Sequence, residues 1–312
     1  MAIDAELATF LIEPMPNGMD DVLGTRRLLA ALTQSEIAQR EPLAPGLRYH
    51  DQVIGDADGD LQVPVRIYRN ENAPAPCGAL VFFHGGAFVF GDLESEYARC
   101  VRFAHQANCV VVSVDYRLSP EHPYPAAVDD GFAALKWLLR NASQLGVDPN
   151  RIGVGGASAG GAIAAATVLR ARDGVGPSIK AQLLIYPVLD NETSSHSIEQ
   201  FYRCEPWDGE RTRKMWRAYL GNDIKDVPAY ASPARANDLT NLPPTYIMTA
   251  ECDPLRDEAI TFGQRLLKAG TTVELHHFSR TFHGFDVVAP RSRLSELALD
   301  EQMAFLLREL GA

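Results

Sequence analysis

Cysteine is scarce in this chain, and what there is forms no pattern. Cys77, Cys100, Cys109, Cys204 and Cys252 are an odd, scattered set of five among 312 residues. They have neither CxxC nor metal-ligand spacing, so free thiols in a reducing compartment are expected rather than a disulfide framework. Basic residues are also short: 29 Lys and Arg against 40 Asp and Glu give a formal net charge of −11. That balance argues against nucleic acid or an anionic membrane as partner. Long apolar runs are missing, since the stretches near residues 162–169 and 183–189 are too short to span a bilayer. The first residues, Met1-Ala2-Ile3-Asp4-Ala5-Glu6, carry acid where a secretory signal carries base. Together these absences predict a cytoplasmic, freely diffusing protein.

What is present is enough for a large core, with 46% hydrophobic and 22% charged residues. Residues 1–45 read as amphipathic helices, with Leu7, Phe10 and Leu11 on one face, Leu28, Leu29 and Leu32 on another, and Pro14, Pro16 and Gly18 as breaks. Residues 50–54 and 61–68 flank Asp56-Ala57-Asp58-Gly59-Asp60 and predict a hairpin. The aspartates lack the later glutamate of a calcium loop, so a turn is expected there. From residue 79 short β-rich runs at 79–83, 109–115, 151–155, 181–186, 245–250 and 272–278 alternate with helical stretches at 94–106, 125–141, 158–172, 255–269 and 293–310. Such alternation predicts an α/β fold, a mostly parallel central sheet with helices on both faces. Residues 191–230 break the rhythm with Phe201, Tyr202, Trp207, Trp216 and Tyr219 among many charges. With the N-terminal helices they are expected to form a helical cap, inserted into a catalytic domain of residues 46–312.

The chemistry starts at Gly156-Ala157-Ser158-Ala159-Gly160, between a strand-like run and a helical one. A serine between strand and helix in a glycine-tight turn is the nucleophile elbow of an α/β-hydrolase fold. The serine takes a strained backbone that exposes Oγ above the sheet, and glycines remove the Cβ atoms that would clash. Such a nucleophile needs a base, and the base an acid, in the order serine, acid, histidine on this fold. Asp253 and His283 follow candidate strands in that order, so Ser158, Asp253 and His283 should meet on the rim where ligands bind open α/β sheets. Glu251 and Asp257 compete with Asp253 less well. His276 and His277 lie within the last strand, and His50, His105, His122 and His196 lack strand-end placement. The run His84-Gly85-Gly86-Ala87-Phe88 supplies the remaining requirement. Amides of Gly85 and Gly86, with that of Ala159, are the expected donors to a tetrahedral oxyanion. His84 is read as an anchor for the loop rather than a second base.

With Tyr116-Arg117-Leu118-Ser119-Pro120-Glu121-His122-Pro123-Tyr124-Pro125, Asp253-Pro254-Leu255-Arg256-Asp257-Glu258 and His283-Gly284-Phe285 added, the chain resembles the hormone-sensitive-lipase-like α/β-hydrolases, the bacterial family IV carboxylesterases. The resemblance covers residues 45–312. It implies a serine ester hydrolase acting on short- to medium-chain acyl esters, with no cofactor or metal, a helical cap, and a homodimer through the last strand and C-terminal helix. It carries the roles of nucleophile, acid and base onto Ser158, Asp253 and His283. Ala87, Phe88, Tyr186, Trp207 and Phe285 are the expected pocket residues. Two departures stand out: Ala87 where a third glycine is usual, and Ala157 where an acidic residue usually precedes the serine. Amide or N-acyl cleavage by the same triad, and a non-catalytic small-molecule receptor on this fold, are the alternatives.

Overall fold

The computed structural model describes residues 2–11, 18–55, 61–174, 176–221 and 225–311. Pro14, Pro16 and the Asp56–Asp60 turn lie outside the described residues. The chain begins with a short α1 (Ala5–Ala8) and a long α2 (Val22–Ala38), capped by the Asp21 carboxylate, which accepts from the Gly24 amide at 2.9 Å. The hairpin β1 (Leu47–Gly55) and β2 (Gln62–Asn70) follows, antiparallel in register. Then come β3 (Cys77–Phe83), α3 (Tyr97–Gln106), β4 (Cys109–Val114), α4 (Ala126–Arg140), β5 (Val147–Ala157), α5 (Ala159–Asp173) and β6 (Ala181–Ile185). Helices α6 (His196–Gln200) and α7 (Gly209–Leu220) interrupt the alternation before β7 (Thr245–Cys252), α8 (Arg256–Lys268), β8 (Val273–Phe282), α9 (Phe285–Val288) and α10 (Arg293–Leu310) complete it. Among the described residues no helix is long and apolar enough to cross a membrane.

The sheet has eight strands in the order β1-β2-β4-β3-β5-β6-β7-β8, antiparallel up to β4 and parallel from there on. Its composition explains the layering. All seven residues of β3 are buried. Val81 and Phe83 enter one core with Val112 and Ile163, while Leu80 and Phe82 enter the other with Phe103 and Phe305. A strand apolar on both faces requires cover on both faces, which the helices supply.

Several boundaries differ from the sequence reading. β8 runs on to Phe282 and β7 to Cys252 past a register irregularity, so the polar Ser279-Arg280-Thr281 is strand rather than loop. β5 starts earlier, at Val147, again through an irregular pairing with β3. The expected face of Leu7, Phe10 and Leu11 does not form: α1 is one turn, Leu7 is buried and Phe10 is exposed. No residue of α2 is buried, and Leu28 and Leu32 are largely exposed. The five cysteines are unpaired.

Candidate active site

β5 delivers the chain into a backbone that an L-residue resists. Ser158 has φ 53° and ψ −117°, a strain of order 1–3 kcal/mol that neighbouring bonds must hold. Its amide donates to the Ile185 carbonyl at 2.9 Å, and its carbonyl accepts from Gly161 at 2.9 Å and Val188 at 3.0 Å. The turn closes only because side chains are missing. A Cβ on Gly160 would stand 2.1 Å from the Phe83 carbonyl oxygen, and one on Gly156 would stand 2.2 Å from that of Gly160.

Facing the elbow, His283 follows β8 directly. Its Nε2 lies 2.9 Å from Ser158 Oγ and its Nδ1 lies 2.8 Å from Asp253 Oδ2. Asp253 is fully buried after β7, with its other oxygen accepting the Leu255 amide at 2.8 Å. The imidazole is flanked by Tyr186, edge-on at 4.7 Å, and by Trp207, whose centroid lies 6.2 Å away. The rival groups are engaged elsewhere. Glu251 accepts the Arg280 amide, and Asp257 accepts the Ser197 amide and pairs with Arg256. His276 stacks on Tyr246 with its Nδ1 2.7 Å from Glu301, while His277 bonds the Thr249 hydroxyl.

The loop after β3 wraps the third side. His84 is buried, stacked on Tyr116 with centroids 4.3 Å apart, and bonded to the Gly85 carbonyl at 2.7 Å. Burial pushes its pKa down to about 4. Gly86, Ala87 and Phe88 have φ of 120°, 57° and 60°. A Cβ on Gly86 would stand 2.3 Å from the Phe90 carbonyl oxygen. The Gly86 carbonyl accepts from both Val89 and Phe90, whereas the amides of Gly86 and Ala87 have no acceptor among the described residues. Neither has that of Ala159, the first residue of α5. Gly85, expected from the sequence as a donor, also has a carboxylate beside it. Its amide faces the buried Glu96 carboxylate and opposes the rise that burial imposes on that group's pKa. Ala87 therefore joins Gly86 and Ala159 as an available donor, and its place next to Gly86 in the loop was the clue in the sequence.

A cavity of about 540 Å³ opens above these groups. Its walls come from Gly85, Ala87 and Trp207, from Leu28 and Leu29 on α2, and from Val288 on α9. Helix α2 is fastened over it by Arg26, which donates to the Val89 and Ser119 carbonyls at 2.7 Å and pairs with both oxygens of Glu121. Lys214 of α7 reaches Asp20 at 2.6 Å, joining the N-terminal and mid-chain segments. Among the charged side chains on the cavity wall, Arg26 pairs with Glu121, Glu96 with Arg99 and Arg211 with Glu205, while Asp92 accepts from the Glu94 amide and the Ser95 hydroxyl.

Of the expected pocket residues, Ala87, Tyr186 and Trp207 border this cavity. Phe88 and Phe285 do not. Phe88 is buried against Tyr219, and Phe285 packs on Phe278 in the core. Phe201, Trp216 and Tyr219 are likewise buried packing residues, and Tyr202 lies under the Arg213 guanidinium. Sequence reasoning missed Val287 and Val288, which a single helical turn carries back to the cavity from His283.

Comparisons with known proteins agree with this fold. Residues 80–287 match a family model described as an alpha/beta hydrolase fold. The chain is 42% identical to Esterase LipI of Mycobacterium tuberculosis (strain ATCC 25618 / H37Rv) over 249 residues, 79% of this chain and 77% of that one. Among solved structures, a bacterial heroin esterase superposes with a TM-score of 0.94 at 38% identity, covering 100% of this chain and 99% of the other. The esterase LipW from Mycobacterium marinum does so with a TM-score of 0.92 at 38% identity, over 98% and 96% of the two chains.

Proposed function

This chain belongs to the hormone-sensitive-lipase-like α/β-hydrolases, and on that premise we propose that it is a serine carboxylesterase acting on short- to medium-chain esters. The observation that carries the reading is the unbroken chain of hydrogen bonds from Ser158 Oγ through His283 to buried Asp253, at 2.9 and 2.8 Å. The named relatives, esterases over most of their length, support it.

In the proposed cycle His283 Nε2 takes the Ser158 proton as Oγ bonds to the ester carbonyl carbon. Asp253 fixes the tautomer and stabilises the imidazolium. Amides of Gly86, Ala87 and Ala159 receive the oxyanion, each worth roughly a hundred- to thousandfold in rate. As the tetrahedral centre collapses, the C–O bond to the alcohol breaks and His283 returns its proton to the leaving oxygen. Water then gives a proton to His283 and attacks the acyl carbon, and the second collapse frees the acid and reprotonates Ser158. The helices around Leu28 and Trp207 act as a cap that keeps water from the acyl group. Because the arginines on the cavity wall are already paired with carboxylates, an anionic acyl or alcohol group would enter unpaired at a large desolvation cost.

A fluorophosphonate probe with a panel of p-nitrophenyl esters and anilides tests the reading. Labelling lost in Ser158→Ala, with esters cleaved faster than anilides, is the expected result. An unlabelled wild type would point to a binding protein, and faster anilide cleavage would point to an amidase.

A further inference from the structure

The wall behind the imidazole contains a buried ion cluster that the proposed mechanism does not use. Tyr186, which follows β6, donates its hydroxyl to Asp286 Oδ1 at 2.7 Å. The other oxygen of Asp286 lies 3.0 Å from the Arg99 guanidinium. Arg99 also donates to Glu96 at 2.7 Å and to Gln302 at 2.8 Å. Every member is buried, Arg99 to 6% exposure and Gln302 completely. One side chain on α3 thereby ties α9 and α10 to the core beneath the site.

Stability alone is a poor reason for such a cluster, because apolar residues of similar volume often serve a core as well or better. Its two ends suggest another. At one end Tyr186, with φ 33°, sets its ring edge-on to His283, with centroids 4.7 Å apart. At the other, Glu96 and Gly85 border the same cavity, with the Gly85 amide beside the Glu96 carboxylate at the base of the loop carrying Gly86 and Ala87. Asp286 also lies only three residues beyond His283, across the left-handed Gly284 at φ 75°. The cluster therefore grips both the segment holding the base and the loop holding the oxyanion donors.

We infer that Glu96, Arg99 and Asp286 are positioning residues that hold the His283 ring, through Tyr186, in register with the oxyanion loop. The inference rests on the serine-esterase reading. Positional errors of about an ångström can cost a hundredfold in rate, so a rigid link between base and donors acts on kcat rather than on substrate binding. The cluster also adds charge. The groups facing His283 are Ser158, Tyr186 and Trp207, all neutral, with Asp253 on Nδ1, Asp286 behind Tyr186, and Arg211 on the cavity wall, paired with Glu205.

The test compares wild type, Asp286→Asn and Tyr186→Phe in p-nitrophenyl butyrate hydrolysis from about pH 4 to 9, with near-ultraviolet circular dichroism as the check on folding. Expected for Asp286→Asn are a fall in kcat of about tenfold and a KM changed less than about twofold. Tyr186→Phe keeps the ring and loses only the hydroxyl bond to Asp286, and should lower kcat about threefold with KM changed less than about twofold. Should Asp286→Asn fail to fold, Tyr186→Phe decides: an unchanged kcat overturns the inference. A folded Asp286→Asn with wild-type kcat overturns it equally. A wild type without esterase activity would instead overturn the parent reading.

Discussion

The Phe88 ring lies flat on that of Tyr219, with centroids 3.8 Å apart and planes inclined by 11°. This stack joins the loop that carries Gly86 and Ala87 to helix α7, so the mid-chain insertion braces the oxyanion donors as well as enclosing the cavity. Both rings are fully buried. Phe88→Ala should cost about 3–5 kcal/mol of stability, measured by urea unfolding. Because the loop is also left without its brace, kcat should fall in the fraction that remains folded.

The glycines of the elbow are predicted to tolerate no side chain. Gly160→Ala would drive a methyl group toward the carbonyl oxygens of Phe83, at 2.1 Å, and His84, at 2.5 Å. Both are backbone atoms at the end of the central strand and its loop, which cannot yield as a flexible side chain would. The expected outcome is a fall of at least about a hundredfold in kcat/KM, or failure to accumulate as folded protein. A Gly160→Ala enzyme with wild-type turnover would contradict the account of the elbow.

Much of this was legible in the sequence, and the part that was not has a physical reason. Ser158, Asp253 and His283 could be found because the chemistry fixes their order and the strand-helix alternation fixes their place. Strand ends were harder. β8 continues through Ser279-Arg280-Thr281 because β7 pairs with it across an irregularity, and the local composition reads as a turn. Pocket aromatics were harder again. Phe88 and Phe285 adjoin the catalytic motifs in sequence, but the backbone turns both inward to the core. The cavity is instead bordered by Leu28, Leu29 and Val288, whose role depends on how distant segments pack. The engagement of Gly85 with Glu96 is a tertiary contact with no local trace.

Acid should weaken the fold through His84. In the folded protein burial holds its pKa at about 4, against an ordinary value of 6.5. Between those values the unfolded chain binds the proton and the folded one does not. The contribution is therefore fully present above about pH 6.5 and is lost as pH falls toward about 4, up to about 3 kcal/mol. His84→Gln removes this titration. Urea midpoints across the same range should vary less steeply with pH in the variant, whatever its absolute stability.

Arg26 should govern substrate binding rather than chemistry. It fixes α2 over the cavity through two backbone carbonyls and Glu121, and touches none of Ser158, His283 or Asp253. Arg26→Ala is expected to raise KM several-fold for longer acyl esters, with kcat nearly unchanged and circular dichroism like wild type. A loss confined to kcat would contradict that placement of α2.

The most direct measurement is the site of acylation. The enzyme is mixed with p-nitrophenyl butyrate, quenched in acid before steady state, digested, and examined by peptide mass spectrometry. The account predicts a butyryl group on Ser158 and none in Ser158→Ala, which should also release no burst of nitrophenolate. An acyl group on another residue, or undiminished turnover by Ser158→Ala, would contradict it.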